Sequence, residues 1–368
     1  MTAKKKINVA ILFGGKSAEH EVSLQSAKNV IDAIDRKKYR PVLIGIDKSG
    51  KWLMHNDANY LLHADNPRLI KLNQPGRRVA LVPQNDGKLT SLDSDDELQS
   101  IDVVFPVLHG PFGEDGALQG LLKMADIPYV GAGVLGSAVG MDKDVMKRLL
   151  RDARIPIAKF ITLRLGEKEP EYKDVIAELG EPFFVKPANL GSSVGVSKVH
   201  NAEEYERAAS MAFEYDNKVL FEENISGREI ECSVLGNEAP IASLPGEIIP
   251  RHEFYSYDAK YIDGQGAVLE IPARLADGVS DGIRQMSIAA FRALSCEGMA
   301  RVDFFLRGDS EIIVNEINTI PGFTSISMYP RLWQASGIPY AELIDRLIQL
   351  ALERFARERR IKTAYDTN

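Results

Sequence analysis

Short apolar runs and helical repeats alternate over the first part of the chain. The run Ile7–Phe13 is continuously apolar and is followed by two glycines, which is typical of a buried parallel strand. The pattern then predicts a helix over Val22–Ile34, strands over Pro41–Ile46 and Val103–Leu108, and a helix over Ala117–Ala125. This alternation predicts a parallel α/β sheet. The polar stretch between about residues 53 and 100 predicts short strands and loops that decorate it.

The middle of the chain has a different pattern. One helix is predicted over 137–154 and another, Ala202–Tyr215, lies between two pairs of closely spaced strands. The predicted pairs are Phe183–Pro187 with Val194–Val199, and Val219–Asn224 with Glu229–Leu235. Closely spaced strands with few helices indicate a small α+β domain.

The last part of the chain predicts a second α+β unit. A polar loop over Gly246–Leu269 precedes a helix over Leu275–Leu294. Strands Met299–Leu306 and Glu311–Ile317 flank a turn around Gly308, which is a hairpin signal. A long helix over Tyr340–Arg360 carries an apolar stripe that includes Ile344, Leu347, Ile348, Ala351 and Phe355. The chain therefore divides into an N-terminal parallel-sheet domain over 1–136 and two further domains over 137–225 and 226–368.

Composition excludes several classes of protein. The 368 residues are 45% hydrophobic and 26% charged, with a net charge of −7, which is ordinary for a globular protein and does not suit a broad nucleic-acid surface. Cys232 and Cys296 lack zinc-site spacing and are expected to be buried small hydrophobes in a reducing compartment. The apolar run after Lys4 is too short for a membrane span and lacks a cleavage pattern, so no membrane association is expected.

Gly15-Lys16-Ser17 superficially resembles the end of a phosphate-binding P-loop. That motif needs a glycine five residues before Gly15, and Ala10 stands there, inside the predicted strand. We therefore interpret this segment as a strand-to-helix turn that carries Glu19. Such turns commonly form binding crevices, although a first-turn carboxylate is also explained by the helix dipole alone.

A lysine followed by small residues marks a candidate phosphate site in the middle domain. Lys186 ends a predicted strand, and the loop after it contains Gly191, Ser192, Ser193 and Gly195. Small residues allow backbone N–H groups to approach phosphate oxygens, which a lysine neutralises. An ordinary hairpin with a surface lysine is the alternative.

The last predicted hairpin carries a candidate metal site. Period-two geometry places Arg301 and Asp303 on one face of its first strand, and Glu316 and Asn318 on one face of the second. With a turn around Gly308, Asp303 and Glu316 would lie nearly opposite each other. Such oxygen ligands suit Mg²⁺ bound together with nucleotide phosphates. The alternative is a solvated ladder of arginine and carboxylates.

Weaker candidates are Lys143, His109, Glu222 and Glu229. Lys143 lies early in a helix and could reach a phosphate or simply be solvated. His109 follows a strand in a glycine-rich turn, where a substrate contact and a structural hydrogen bond are both reasonable. Glu222 and Glu229 flank a strand connection and could hold an adenine and its ribose.

Several of these segments together resemble the D-alanine–D-alanine ligase family of the ATP-grasp superfamily. The resemblance rests on Gly14–Ser23, His109-Gly110, Lys186-Pro187, Gly191–Gly195 and Asn315–Gly322, and extends from about Ile7 to Phe355. It implies that the N-terminal α/β domain is followed by a two-domain ATP-grasp fold with ATP between its halves.

The resemblance also implies a role for each candidate residue. Glu19, Ser192, Tyr261, Arg301 and His109 would be catalytic; Lys143, Lys186, Ser193, Glu222, Glu229 and Lys260 would bind ATP. Glu19, Gly322, Ser325, Ser327 and Met328 would contact D-alanine, and Asp303, Glu316 and Asn318 would ligate metal. Lys260 and Tyr261 would belong to a closing lid. A tyrosine at 261 favours the dipeptide, since related ligases that accept D-lactate carry phenylalanine there.

The expected activity is ligation of two D-alanine molecules through a D-alanyl phosphate, for peptidoglycan precursor synthesis. The resemblance implies ATP, two Mg²⁺ or Mn²⁺ ions, K⁺ as a further candidate ion, a homodimer and a cytoplasmic location. A D-alanine–D-lactate ligase or another ATP-grasp carboxylate–amine ligase is the alternative enzyme. A non-catalytic nucleotide-binding regulator would be expected to lack a metal ligand or a phosphate lysine, and all of these are present.

Overall fold

The protein is a mixed α/β structure, seen here in a computed structural model that describes residues 5–56, 60–64, 66–67, 69–83, 87–94, 97–250 and 267–362. The strands are β1 Ile7–Gly14, β2 Tyr39–Ile46, β3 Trp52–His55, β4 Leu61–Leu62, β5 Lys71–Leu72, β6 Arg77–Leu81, β7 Lys88–Ser91, β8 Glu97–Ser100, β9 Val103–Pro106, β10 Phe160–Arg164, β11 Phe183–Pro187, β12 Ser197–Val199, β13 Lys218–Glu223, β14 Arg228–Gly236, β15 Ile241–Ala242, β16 Gly246–Pro250, β17 Ala267–Glu270, β18 Gly298–Arg307 and β19 Glu311–Asn318. The helices are α1 His20–Ala33, α2 Ala117–Met124, α3 Val134–Met141, α4 Lys143–Asp152, α5 Tyr172–Leu179, α6 Ala202–Phe213, α7 Val279–Ala293, α8 Met328–Ala335 and α9 Tyr340–Glu358.

The first sheet has a parallel centre and an antiparallel extension. Its strand order is β8-β7-β6-β3-β2-β1-β9, and β1 pairs in parallel with both β2 and β9. β1 is buried almost throughout, as expected for a strand covered on both faces. The predicted parallel α/β sheet is therefore confirmed. The polar stretch between residues 53 and 100 contributes the short antiparallel strands that widen the sheet.

The last helix packs against the first sheet. One buried core joins Ile11 and Phe105 of the sheet, Val30 of α1, and Leu343 and Leu347 of α9. The helix and its apolar stripe were predicted correctly, but the stripe alone could not identify the surface it covers. This core contains residues from the first sheet and from the last helix, so it does not mark where one domain ends and the next begins. The domain limits predicted at 136/137 and 225/226 stay a prediction.

One long helix predicted over 137–154 is wrong. The structure has two helices, α3 and α4, that are separated at Asp142, whose backbone is extended with φ −79° and ψ 100°. The Asp142 carboxylate caps α4 by accepting the N–H of Val145 at 3.1 Å. An aspartate stabilises a helix start in this way, so the chain begins a new helix at Lys143.

The middle sheet is antiparallel, with the order β10-β13-β11-β12. The predicted pairing of β11 with β12 is confirmed, although β12 begins only at Ser197. The predicted pairing of the next two strands is wrong, because β13 pairs with β10 and β11 while β14 lies in the third sheet. Closeness in sequence suggested a hairpin where the chain in fact passes between sheets. Strand β10 and helix α5 were not predicted.

The third sheet is also antiparallel, in the order β17-β16-β14-β18-β19, with β15 attached to β14. The polar loop predicted over Gly246–Leu269 is wrong at both ends, since β16 and β17 are strands that pair with each other. Both are short, mostly apolar segments at the ends of the polar stretch, and each is held in the sheet by a neighbouring strand. The β18–β19 hairpin was predicted correctly, whereas α8 was not predicted.

The sequence led to expectations about the two cysteines and about helices that could span a membrane. Cys232 and Cys296 are both buried and free, and burial raises the pKa of their thiols to about 11 and about 12, so they are inert small side chains. In the described residues, none of the helices is both long enough and apolar enough to cross a bilayer.

Candidate active site

The β18–β19 hairpin supplies the densest group of charged side chains. Asp303 lies opposite Glu316, as predicted, and Arg301 lies opposite Asn318. The register shifts between Asp303 and Phe304, leaving Asn315 as an extra residue on β19. This bulge turns Glu316 and Asn318 toward the cleft while Val314 stays in the core.

Arg301 lies among acidic side chains. Its Nε and Nη2 donate to the two oxygens of Asp303, each at 2.7 Å, and its Nε is also 2.9 Å from Oε2 of Glu231. Glu231 is in register with Asp303 on β14, so three neighbouring strands place Glu231, Asp303 and Glu316 in one row. Asn318 donates from Nδ2 to Asp303 at 3.0 Å. The group is thus internally connected and strongly acidic.

Three residues of the β18–β19 hairpin suit a divalent cation. Asp303, Glu316 and Asn318 present hard oxygen atoms, and two carboxylates with one amide leave coordination positions for phosphate oxygens. In the part of the chain that the structure describes, no three His, Cys, Asp or Glu side chains form a complete metal cage. That is expected where a nucleotide completes the coordination, so the donor set fits Mg²⁺ bound together with a polyphosphate.

Lys143 is positioned by the start of α4. Its backbone N–H donates to the carbonyl of Ala188 at 3.0 Å, and its Nζ donates to the carbonyl of Leu190 at 2.6 Å. Nζ also lies 3.4 Å from Oε2 of Glu316. Lys218 fixes this helix start through Asp142 at 2.6 Å and Asp144 at 3.1 Å. Lys143 therefore links the loop after β11 to the candidate metal site.

A second charged group lies on the middle sheet. Glu222 of β13 is buried. Its Oε1 accepts a hydrogen bond from Nζ of Lys186 at 2.5 Å, and Nζ of Lys147 lies 2.7 Å from its Oε2. Burial raises the pKa of Glu222, but the charges and hydrogen bonds of Lys147 and Lys186 outweigh it, so the pKa is lowered. The structure therefore brings Lys186 and Glu222 together, as candidate phosphate and adenine contacts respectively.

Ser192 joins the loop after β11 to the first domain. Its Oγ donates a short hydrogen bond to Oε1 of Glu19, which lies just before α1 and is nearly buried. Ser192 and Ser193 both have positive φ, 53° and 61°, a conformation that costs serine free energy and persists only when its surroundings enforce it. Tyr261, which the resemblance places with Glu19 and Ser192 among the catalytic residues, lies outside the described residues, as does Lys260.

His109 and Glu114 connect the glycine-rich turn to the loop after β19. His109 is buried, with Nδ1 2.9 Å from the carbonyl of Ile320, and burial lowers its pKa. Glu114 accepts the N–H groups of Gly110 at 2.7 Å and Ile320 at 3.1 Å. Burial, and then the charge of Glu19, raises the pKa of Glu114 to about 8. The geometry of His109 favours a positioning role over direct contact with substrate.

The loop after β19 closes the other side of the cleft. A Cβ added to Gly322 would lie 2.7 Å from Oγ of Ser327, so a larger residue would displace that serine. Ser327 Oγ accepts the N–H of Thr324 at 3.0 Å. Ser325 lines a separate surface depression, and its predicted contact with substrate gains no support from this geometry.

The third-sheet group, the Glu19–Ser192 contact and the loop after β19 line one open cavity with about 1000 Å³ of empty space, part of it open to solvent. Lys143, Lys186 and Glu222 are not among its lining residues. The predicted site residues that line it are Glu19, Ser192, Glu229, Arg301, Asp303, Glu316, Asn318, Gly322, Ser327 and Met328. They come from the first turn, the loop after β11, the third sheet and the loop after β19, so the cavity lies where distant parts of the chain meet. That arrangement suits a reaction that holds several substrates side by side.

Sequence reasoning missed Lys147, Glu231 and Glu114. Lys147 follows Lys143 by four residues, which places both on one face of a helix. Glu231 follows Glu229 by two residues and so shares its face of β14. Glu114 stands in the glycine-rich turn beside His109. Spacing could have indicated all three, but only the tertiary structure identifies their partners.

Comparison with known proteins agrees with this geometry. The family models described as "D-ala D-ala ligase N-terminus" and "D-ala D-ala ligase C-terminus" match residues 8–132 and 149–349. The chain is 55% identical over 363 residues to a D-alanine–D-alanine ligase of Oceanobacillus iheyensis, covering 98% of this chain and 99% of the relative. It is 54% identical over 361 residues to D-alanine–D-alanine ligase A of Escherichia coli, with the same coverage of 98% and 99%.

A solved structure agrees as well. The D-alanine–D-alanine ligase from Coxiella burnetii superimposes with a TM-score of 0.85 at 40% identity, covering 97% of each chain. With sequence and fold matching over nearly the whole length, this chain belongs to the D-alanine–D-alanine ligase family of ATP-dependent ligases.

Proposed function

We propose that this protein joins two molecules of D-alanine into D-alanyl-D-alanine, with cleavage of ATP to ADP and phosphate, for peptidoglycan precursor synthesis. The observation that carries the proposal is the single cavity in which Glu19 and Ser192 face Arg301, Asp303 and Glu316. An anionic pocket for an ammonium group thus adjoins a site for a metal–nucleotide complex.

The first step would activate a carboxylate. The γ-phosphoryl group of ATP passes to the carboxylate of the first D-alanine, which gives D-alanyl phosphate and ADP. Glu19 would hold the ammonium group of this substrate, and Lys143 and Lys186 would neutralise the phosphates. Mg²⁺ held by Asp303, Glu316 and Asn318 would supply further charge neutralisation.

The second step would form the amide bond. The amine of the second D-alanine attacks the acyl carbon, inorganic phosphate leaves, and the nitrogen loses a proton. Arg301 and the backbone N–H of Gly322 would stabilise the oxygen that gains negative charge. Ser327 and Met328, which line the same cavity, would contact the carboxylate of this second substrate. Because Glu231 contacts Arg301 as well, the guanidinium would keep an acidic partner when Asp303 binds a cation.

The direct test measures phosphate release from ATP with D-alanine and with L-alanine as the matched control. We expect release with D-alanine only, and a dipeptide product identified by mass spectrometry. Parallel reactions with D-lactate or other D-amino acids as second substrate test the alternative ligases. A depsipeptide as the main product would overturn the assignment, as would equal phosphate release with L-alanine.

We propose that the enzyme acts as a homodimer. In support, α2 and α3 contact each other and expose large apolar side chains, with Met124 at 74% and Leu135 at 61% exposure. Such exposure on neighbouring helices suits a protein–protein contact. Light scattering should show a dimer, and Met124→Glu with Leu135→Glu should shift it toward monomer; a monomeric wild-type chain would contradict this.

The need for ATP and two free buried thiols are consistent with a cytoplasmic location.

A further inference from the structure

Lys147 is a buried cation to which the proposed reaction assigns no role. Its side chain has 0% exposure, and its Nζ lies 2.7 Å from Oε2 of Glu222 and 5.9 Å from the centre of the Phe160 ring. Taking a lysine out of water is costly unless a partner compensates it. An apolar residue could fill a helix position of this kind, so a charge that is fully buried here suggests a function.

Glu222 has two cationic partners that would respond differently when a nucleotide binds. Lys186 holds Oε1 at 2.5 Å, but Lys186 is also the proposed phosphate contact. When a triphosphate binds, Lys186 is drawn toward a stronger anion and shared with it. Lys147 is enclosed, with its exit to the phosphates closed by its burial. It therefore remains as the permanent counter-ion of Glu222.

Two lysines keep Glu222 ionised inside the protein. Burial raises the pKa of this carboxyl, and the charges of Lys147 and Lys186 lower it by more. Burial lowers the pKa of Lys147, and the charge of Lys186 lowers it further, whereas Glu222 at 2.7 Å and, with a smaller effect, Glu316 favour its charged form. An ionised carboxylate only accepts hydrogen bonds, and each of its oxygens can accept more than one.

This property discriminates between purine bases. The edge of adenine carries an exocyclic amine that donates a hydrogen bond, whereas guanine carries an oxygen that accepts at the same place. A permanent acceptor at Glu222 pairs with the amine of adenine and repels the oxygen of guanine. A protonated or neutral side chain there could instead donate to guanine.

We infer that Lys147 is a positioning residue that selects adenine over guanine nucleotides, by holding Glu222 as an acceptor while Lys186 serves the phosphates. The inference rests on the proposed placement of adenine at Glu222. In the buried Lys147–Glu222–Lys186 group, Lys147 would stay paired with the carboxylate of Glu222, and Lys186 would bind the phosphates of the nucleotide.

The test uses Lys147→Met, which keeps the length of the side chain and suits an apolar surrounding. The measurement is kcat/KM for ATP and for GTP, by phosphate release with D-alanine. We expect kcat/KM for ATP to fall about tenfold, mainly through KM, and the ratio of GTP to ATP use to rise about tenfold, since a mispaired buried hydrogen-bonding group is the source of discrimination. Arg151→Met, which removes an exposed charge from the same helix, is the matched control and should leave the ratio unchanged.

Glu222→Gln provides an independent variant, because glutamine can donate to guanine whether or not Lys147 is present. It should raise the ratio similarly, and adding Lys147→Met to it should change the ratio little. Parallel losses for ATP and GTP in Lys147→Met, with the ratio constant, would show a merely structural lysine and overturn the inference. If circular dichroism shows that Lys147→Met does not fold, an unchanged ratio in Glu222→Gln overturns it equally.

Calorimetric binding of ADP and GDP to the full-length protein separates this inference from the proposed function. A wild-type chain that binds ADP in strong preference to GDP but forms no dipeptide would refute the function alone. The Lys147→Met protein should then still show a raised GDP-to-ADP binding ratio.

Discussion

The charged group on the middle sheet and the charged group on the third sheet carry opposite net charges. On the middle sheet, two lysines, Lys147 and Lys186, face the single carboxylate of Glu222. On the third sheet, the row of Glu231, Asp303 and Glu316 faces two cations, Arg301 and Lys143. One group therefore has a formal surplus of positive charge and the other a surplus of negative charge.

The difference shows what each group needs in order to be complete. In the proposed function, phosphates would compensate the excess positive charge at the middle sheet, and metal cations would compensate the excess negative charge at the third sheet. A metal–nucleotide complex carries both kinds of charge, so the two groups would favour one orientation of it. Opposite surpluses would then orient the ligand before any hydrogen bond to the base forms.

The largest effect is expected from reducing the negative surplus. Glu316→Gln keeps the shape of the side chain but weakens the metal site and removes the ion pair with Lys143. We expect kcat to fall about a thousandfold, or ~4 kcal/mol of transition-state stabilisation, in a phosphate-release assay. Glu311→Gln, on the exposed start of the same strand, is the control and should retain activity. A fall of less than about tenfold in Glu316→Gln would remove this residue from the metal site.

A smaller effect is expected from reducing the positive surplus. Lys186→Met removes the lysine that Glu222 and the phosphates would share, and we expect kcat/KM for ATP to fall about a hundredfold, or ~2.7 kcal/mol. The control is Lys173→Met in the same part of the chain, where the side chain is 74% exposed. If both variants have the same kcat/KM for ATP, the positive charge of the middle-sheet group does not contribute to ATP binding, and that half of the comparison is wrong.

The smallest effect is expected on Tm as pH changes, from the ionisation of Glu114 near Glu19. The pKa of Glu114 is raised from 4.5 to about 8, so the folded protein favours the protonated acid. Its contribution to the free energy of unfolding is full below pH 4.5 and is lost as pH rises through about 8. We expect Tm to fall by several degrees between about pH 6 and about pH 9, and to fall less in Glu114→Gln, by scanning calorimetry. Identical pH profiles would mean that Glu114 is ionised throughout.

The sequence predicted the third-sheet group better than the middle-sheet group. Period two and a short turn were enough to place Asp303 opposite Glu316, because a hairpin has local geometry. Glu222, by contrast, meets Lys147 only through the packing of α4 on the middle sheet, which no local pattern encodes. The contact between Ser192 and Glu19 is likewise a product of long-range packing, and only the family resemblance grouped the two residues among the catalytic ones.

The fold shows the same division. Strands with strong apolar runs, such as Ile7–Gly14, were predicted within a residue or two, and so was the last helix. The single helix over 137–154 failed because a cap at Asp142 interrupts a continuous helical periodicity. The loop predicted over Gly246–Leu269 failed because its two strands are short apolar segments at the ends of a polar stretch, and only pairing with neighbouring strands makes them recognisable.

The packing of α9 against the first sheet has a consequence for synthesis on the ribosome. The apolar face that Ile11 and Phe105 present is covered by α9, which is translated after all the strands of the first sheet. That face therefore stays uncovered until α9 has left the exit tunnel. Deleting α9 would consequently expose the core of the first sheet.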